Sequence, residues 1–182
     1  MSKPMETAII GTGFIGRAWA ISFARAGAIV RLWDQAGDAA ATAVDYIEGV
    51  LGDLESNGLL DGQSAAAVLA RITPAATLEE ACAEAAHVQE NTPEDLATKI
   101  AVFQRLDAAA APGAVLASST SALLPSRFTE GLKGRDRCLV VHPINPPYLI
   151  PAAEIVPAPW TAPETVERTT NSWSRPATRR WS

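Results

Sequence analysis

The chain has 182 residues, a formal net charge of −5, 48% hydrophobic residues and 19% charged residues. That length suits one ordinary domain with a substantial core, and the acidic balance argues against a nucleic-acid or anionic-membrane surface. No apolar run reaches membrane-spanning length, and Met1 to Glu6 contain no apolar signal segment, so a cytoplasmic location is expected.

The first predicted strand is Thr7-Ala8-Ile9-Ile10, which leads directly into Gly11-Thr12-Gly13-Phe14-Ile15-Gly16. Ile15, Trp19, Phe23 and Ala26 then recur at helical spacing. A second strand, Ala28 to Trp33, ends in Asp34. Strand, glycine turn, helix, strand and acid in that order form a dinucleotide-binding fingerprint. Gly11 permits the tight turn, Gly13 lets backbone approach a pyrophosphate, and Gly16 lets the helix pack on the strand. The helix start at Phe14 and Ile15 offers unpaired N–H groups and the positive dipole end to phosphates. Asp34, 18 residues after Gly16, is placed to accept hydrogen bonds from the adenosine ribose and to repel a 2′-phosphate, which predicts NAD rather than NADP. Arg31 lies three residues earlier, so strand alternation puts it on the opposite face.

The rhythm continues along the chain. Ala39 to Leu54 reads as a helix with Ala43, Ile47, Val50, Leu51 and Leu54 on one face, and Asn57-Gly58 ends it. A short helix over Ala65 to Ala70 precedes a strand near Arg71 to Thr73. Thr77-Leu78-Glu79-Glu80 is a capping-box start for another helix, in which Cys82 reads as a small buried residue. His87 to Gln89 is a strand, Pro93 to Ala110 a long helix, Val115 to Ala117 a strand and Cys138 to Val141 another. The two cysteines have no zinc or C-x-x-C spacing, and no metal site is expected. The predicted class is α/β, a Rossmann-like doubly wound, mostly parallel sheet with helices on both faces. Ligands in such sheets bind beyond the carboxyl ends of the strands. Three polar clusters fall there: Glu90 to Glu94, Ser118 to Ser121, and His142 to Tyr148.

These segments carry a resemblance. Gly11 to Ala20, Gln89 to Leu96, Ser118 to Ser126 and His142 to Pro151 resemble the N-terminal part of the 3-hydroxyacyl-CoA dehydrogenase superfamily over residues 6 to about 169. Ser118-Ser119-Thr120-Ser121 and Asn145-Pro146-Pro147-Tyr148 are most similar to its lambda-crystallin, or L-gulonate 3-dehydrogenase, branch; carnitine 3-dehydrogenases are also similar. The resemblance implies NAD-dependent oxidation of a secondary hydroxyl on a small 3-hydroxy acid, with acyl-CoA or carnitine oxidation, or a non-catalytic crystallin-like NAD-binding role, as alternatives. It assigns His142 as general base, Glu154 as the acid that orients it, and Ser121 as the hydroxyl contacting substrate and cofactor. It further assigns Glu94, Lys99 and Asn145 to the cofactor site.

The family continues into a helical C-terminal domain that closes the cleft and carries a homodimer interface, and that domain is not recognisable here. Residues 168–182 contain four arginines, no acid and two of the five tryptophans. The sequence-based expectation is therefore an NAD-binding domain over 1–169, followed by an atypical basic tail over 170–182 from a shifted or artificially ended reading frame, with a genuine basic tail that binds a partner as the alternative, in a fragment inactive on its own.

Overall fold

The computed structural model describes residues 3–173, with side chains described to residue 171. Seven strands form one sheet: β1 (Glu6–Ile10), β2 (Ile29–Trp33), β3 (Ile72–Pro74), β4 (His87–Glu90), β5 (Val115–Ser118), β6 (Cys138–Pro143) and β7 (Ala153–Pro157). Their order is β3-β2-β1-β4-β5-β6-β7. Neighbours are parallel up to β6, and β7 returns antiparallel to β6. The chain reverses its direction of travel across the sheet between β1 and β4, which is the switch point where such folds open a crevice.

Seven helices cover the sheet: α1 (Phe14–Arg25), α2 (Ala39–Ser56), α3 (Ala65–Leu69), α4 (Leu78–Cys82), α5 (Leu96–Ala109), α6 (Ser126–Thr129) and α7 (Pro163–Trp173). Strand alternation splits β1 between two cores. Ile9 packs with Trp19, Phe23, Ile47 and Leu51 on the α1–α2 side. Ala8 and Ile10 pack with Val88, Phe103, Leu106, Leu116 and Phe128 on the α4–α5 side. Both faces are covered, so the strands are buried almost throughout.

Local chemistry places the element ends. Thr77 caps α4 by accepting a hydrogen bond from the Glu80 N–H, while Glu80 accepts one from the Ala76 N–H. The long helix expected from Pro93 begins three residues later, at Leu96. Asp95 is extended and caps it by accepting from the Thr98 N–H and hydroxyl. Residues 91–94 are thereby left as a loop. The last parallel strand also differs from expectation. It runs to Pro143 rather than Val141, because β7 pairs along it, with His142 opposite Glu154. Helix α7 runs to Trp173, across the boundary expected after residue 169. Thr165 and Thr169, four residues apart, are its buried side chains among the described residues; Thr165 donates to the Asp136 carbonyl. The rest of the expected basic tail, residues 174–182, lies outside the described residues.

Candidate functional site

Register brings the strand ends into one row. Trp33, Ile10, Glu90, Ser118 and Val140 are successive partners across β2, β1, β4, β5 and β6. The residues just beyond that row are Asp34, Gly11, Asn91, Ser119 and Val141, and His142 follows. The three polar clusters of the sequence thus line one edge of the molecule.

The glycine turn occupies the switch point. Gly11 has φ +87°, a conformation that L side chains rarely adopt, and a Cβ there would lie 2.8 Å from the Asn91 carbonyl oxygen. A Cβ on Gly16 would lie 2.0 Å from the Gly11 carbonyl oxygen, so this glycine is required for α1 to sit against β1. Gly13 is different: a Cβ there would meet nothing within 4 Å. Packing does not explain it. Gly13 is the N-cap of α1, no side chain caps the helix, and no acid lies in the first turn. The N-terminal N–H groups at Phe14 and Ile15 therefore face an open, cation-like helix end beside a residue with no side chain. That is the shape a pyrophosphate requires, and the residues present fit a dinucleotide.

Asp34 stands beside this turn. Its Oδ2 accepts from the Thr12 N–H at 2.7 Å and the Thr12 hydroxyl at 3.0 Å, and its Oδ1 accepts from the Ala36 N–H at 3.0 Å. The carboxylate is fixed in place with lone pairs to spare. Arg31 is turned away and donates to the Thr73 hydroxyl.

Two carboxylates organise the loops after β4 and β5. Glu90, fully buried, accepts from Lys99 Nζ at 2.8 and 3.0 Å, from the Ser118 hydroxyl at 2.6 Å, and from the Thr92 N–H and hydroxyl. Lys99 is itself buried, and its remaining donor goes to the Thr92 carbonyl. Its ammonium thus serves the inner side of the loop and is covered from the rim. Glu94, exposed at the rim, accepts from the Thr120 hydroxyl and the Ala122 N–H, which flank Ser121. Partial burial pushes the Glu94 carboxyl upward. The bonds from Thr120, Ala122 and Ser121, with the Lys99 charge, outweigh this and hold it below its ordinary value. Ser121 is thereby presented on an anchored, exposed turn.

On the far side, His142 Nδ1 lies 2.9 Å from Glu154 Oε2. The two are direct cross-strand partners on β6 and β7. Glu154 is 72% exposed, so the pairing is screened, and what it supplies is orientation. Among the described residues, His142 Nε2 has no protein partner. Asn145 is exposed on the loop beyond β6, before a cis peptide bond to Pro146. Burial pushes the Cys82 and Cys138 thiols up to about 12, which makes them inert. Among the described residues, no cluster of His, Cys, Asp or Glu could hold a metal ion, and no helix is long and apolar enough to cross a membrane.

Sequence reasoning placed Glu90 and Ser119 in the strand-end clusters without giving them a role, and missed Gln89 and Trp19 as their partners. Their signal was a polar pair, Gln89-Glu90, in a strand whose four residues are all buried. A buried polar side chain demands partners, and these supply them.

Comparison with known proteins identifies the family and the fold. The family described as "3-hydroxyacyl-CoA dehydrogenase, NAD binding domain" matches residues 6–176. The lambda-crystallin homolog of Bos taurus is 43% identical over 169 residues, 92% of this chain and 53% of that protein. The L-carnitine dehydrogenase of Streptomyces griseus is 43% identical over 162 residues, 89% of this chain and 47% of that protein. The chain therefore spans about half the length of the curated relatives it matches. Among solved structures, 3-hydroxybutyryl-CoA dehydrogenase from Escherichia coli superposes with a TM-score of 0.87 at 28% identity, covering 96% of this chain and 37% of that one.

Proposed function

The chain belongs to the 3-hydroxyacyl-CoA dehydrogenase family through its NAD-binding domain, and from that premise we propose that it serves the NAD-dependent oxidation of a secondary hydroxyl on a small 3-hydroxy acid of the L-gulonate type. The observation that carries this reading is the His142–Glu154 pair, an oriented imidazole at the same sheet edge as the dinucleotide turn.

Bound NAD supplies the acceptor for the hydride that leaves the hydroxyl-bearing carbon. The protein supplies the proton chemistry. With its Nδ1–H donated to Glu154 Oε2, neutral His142 turns the Nε2 lone pair outward, where it can take the hydroxyl proton. The same carboxylate then faces the imidazolium that forms. Ser121 offers a hydroxyl to the substrate oxygen from the turn that Glu94 anchors. Ser118 to Ser121 and Asn145 to Tyr148, together with the lambda-crystallin relatives, favour a free hydroxy acid over an acyl-CoA.

In a chain completed with the C-terminal half of a lambda-crystallin relative, NADH absorbance should be followed with L-gulonate, L-carnitine and 3-hydroxybutyryl-CoA. His142→Ala should cut the maximal rate by roughly 10²–10⁴, the usual worth of general acid–base catalysis, while NAD affinity stays unchanged. An unaltered rate in that variant would make His142 structural. NAD binding without turnover of any of the three would leave a non-catalytic NAD-binding domain.

A further inference from the structure

Beneath the exposed edge lies a second network, running from the buried Gln89 to the half-buried Ser119 and Asn91, that the chemistry above does not use. Gln89, fully buried on β4, donates from its amide to the Ser119 hydroxyl oxygen at 2.7 Å and to the Val141 carbonyl at 3.1 Å. Ser119 donates to Asn91 Oδ1 at 2.7 Å and also accepts from the Trp19 indole N–H at 2.9 Å. Asn91 donates to the Gln89 carbonyl at 2.9 Å and to the Ile10 carbonyl at 3.3 Å. Gln89 Oε1 lies 2.9 Å from His87 Nε2.

The two ends of this chain of bonds are informative. Val141 immediately precedes His142, and Ile10 immediately precedes Gly11. The β5–β6 ladder stops at Ser118 and Val140, so the Val141 carbonyl lies beyond it and the Gln89 amide reaches it instead. The bond directions are also fixed. The Gln89 amide nitrogen uses both its hydrogens on Ser119 and Val141, so its oxygen must face His87, which is buried and neutral with its Nε2–H toward Gln89. Ser119 accepts twice and therefore donates its one proton to Asn91. A saturated network has one arrangement, and side chains locked this way hold their neighbours to tight tolerances.

We propose that Gln89, Ser119 and Asn91 are positioning residues, a part-buried relay that sets the strand bearing His142 against the dinucleotide turn. The proposal rests on the reading of His142 as general base, and it is tested without turnover. The chain has two histidines, so their Cε1–H NMR signals can be told apart by substitution. NAD should shift the His142 signal in the unaltered full chain. In Ser119→Ala, which cuts the relay in its middle, NAD should still bind, but the His142 shift should fall to less than half. Ser119→Thr keeps the hydroxyl and should restore it. Gln89→Met cuts the relay at its other end and should reproduce the loss. Trp19→Phe removes one bond to Ser119 without cutting the relay and should leave the shift intact. A His142 signal that ignores NAD in the unaltered chain would overturn the relay. So would an undiminished shift in Ser119→Ala, or an equal loss in Trp19→Phe, which would mark general loosening. Failure of every candidate substrate to turn over, with these shifts as expected, would count against the proposed reaction and leave the relay standing.

Discussion

Gly13 and Gly16 lie three residues apart in the same turn, yet the structure assigns them opposite duties. Substituting each by alanine separates folding from binding. In Gly16→Ala the new methyl would sit 2.0 Å from the Gly11 carbonyl oxygen and 3.3 Å from the Ile9 side chain. The first contact is with backbone, which cannot rotate away, so α1 must lift from β1 by more than 1 Å. Overpacking of this kind typically costs about 1–3 kcal/mol, and the rigid partner places this case at or above the upper end. A domain with about 5–15 kcal/mol in hand would lose a large share of it. In Gly13→Ala the methyl meets no protein atom, and the backbone is already at φ −65°. The remaining cost is that of a poorer N-cap, about 1 kcal/mol or less. Its methyl would, however, occupy the space where backbone and pyrophosphate meet. The expected loss in NAD affinity is at least about 100-fold, or about 2.7 kcal/mol. Thermal melts and titration calorimetry on the two variants read both quantities. Gly16→Ala should melt far earlier. Gly13→Ala should melt near the unaltered chain and barely bind NAD. If Gly13→Ala binds NAD as tightly as the unaltered chain, the phosphates do not approach this turn.

Other substitutions probe the neighbouring groups. Asp34→Ala should weaken NAD by about 1–3 kcal/mol, the scale of lost charged hydrogen bonds, partly because Thr12 loses its anchor; a calorimetric titration in which NADP matches NAD on the unaltered chain would remove Asp34 from the ribose. Glu90→Gln strands the buried Lys99 ammonium and should cost about 3–5 kcal/mol in urea melts, most of it regained on adding Lys99→Met; equal losses in the single and double variants would mean the charge pair is not the cause. His87 gives a pH signature. Burial lowers its pKa from 6.5 to about 4, against the Gln89 hydrogen bond that raises it. The unfolded chain therefore binds the proton first, so the stability this residue contributes is full above pH 6.5. It falls as pH drops toward 4, by about 3 kcal/mol in all. Melts of His87→Asn across that window should show a flatter slope, and an identical slope would exclude His87 as the titrating group.

How far the sequence revealed the fold depended on whether a signal was local. The glycine turn, α1, β2 and Asp34 are contiguous, and their periodicity and spacing are properties of that stretch alone. The parallel pairing of β1 to β6 follows from alternation with helices, whereas their order is a property of the folded sheet. Element ends were less legible where two local signals competed. Pro93 suggested a helix start, but Asp95 had the better cap partner in Thr98, and the helix began after it. That shift matters, because Glu94 then lies in a loop and can bridge to the Ser121 turn rather than lie along a helix.

The site itself was legible as three separate clusters, and its working geometry was not, because the geometry is made by pairing. Glu154 read alone is a solvated acid in an unremarked stretch, twelve residues from His142. It becomes the partner of His142 because β7 folds back antiparallel on β6 and places the two directly opposite, where side chains lie closest across a sheet. A one-residue slip of β7 would carry Glu154 to the other face and leave His142 unpartnered, so the register of this hairpin decides whether the pair exists. Pro143 opposite Ala153 and the Ile144 N–H bonded to the Ala152 carbonyl close the hairpin beyond that pair, and Leu139 opposite Pro157 sets its other end. On the opposite side of β6 the Gln89 amide holds Val141. His142 is thus fixed from both flanks by contacts far apart in sequence, which no spacing rule along a single strand can display.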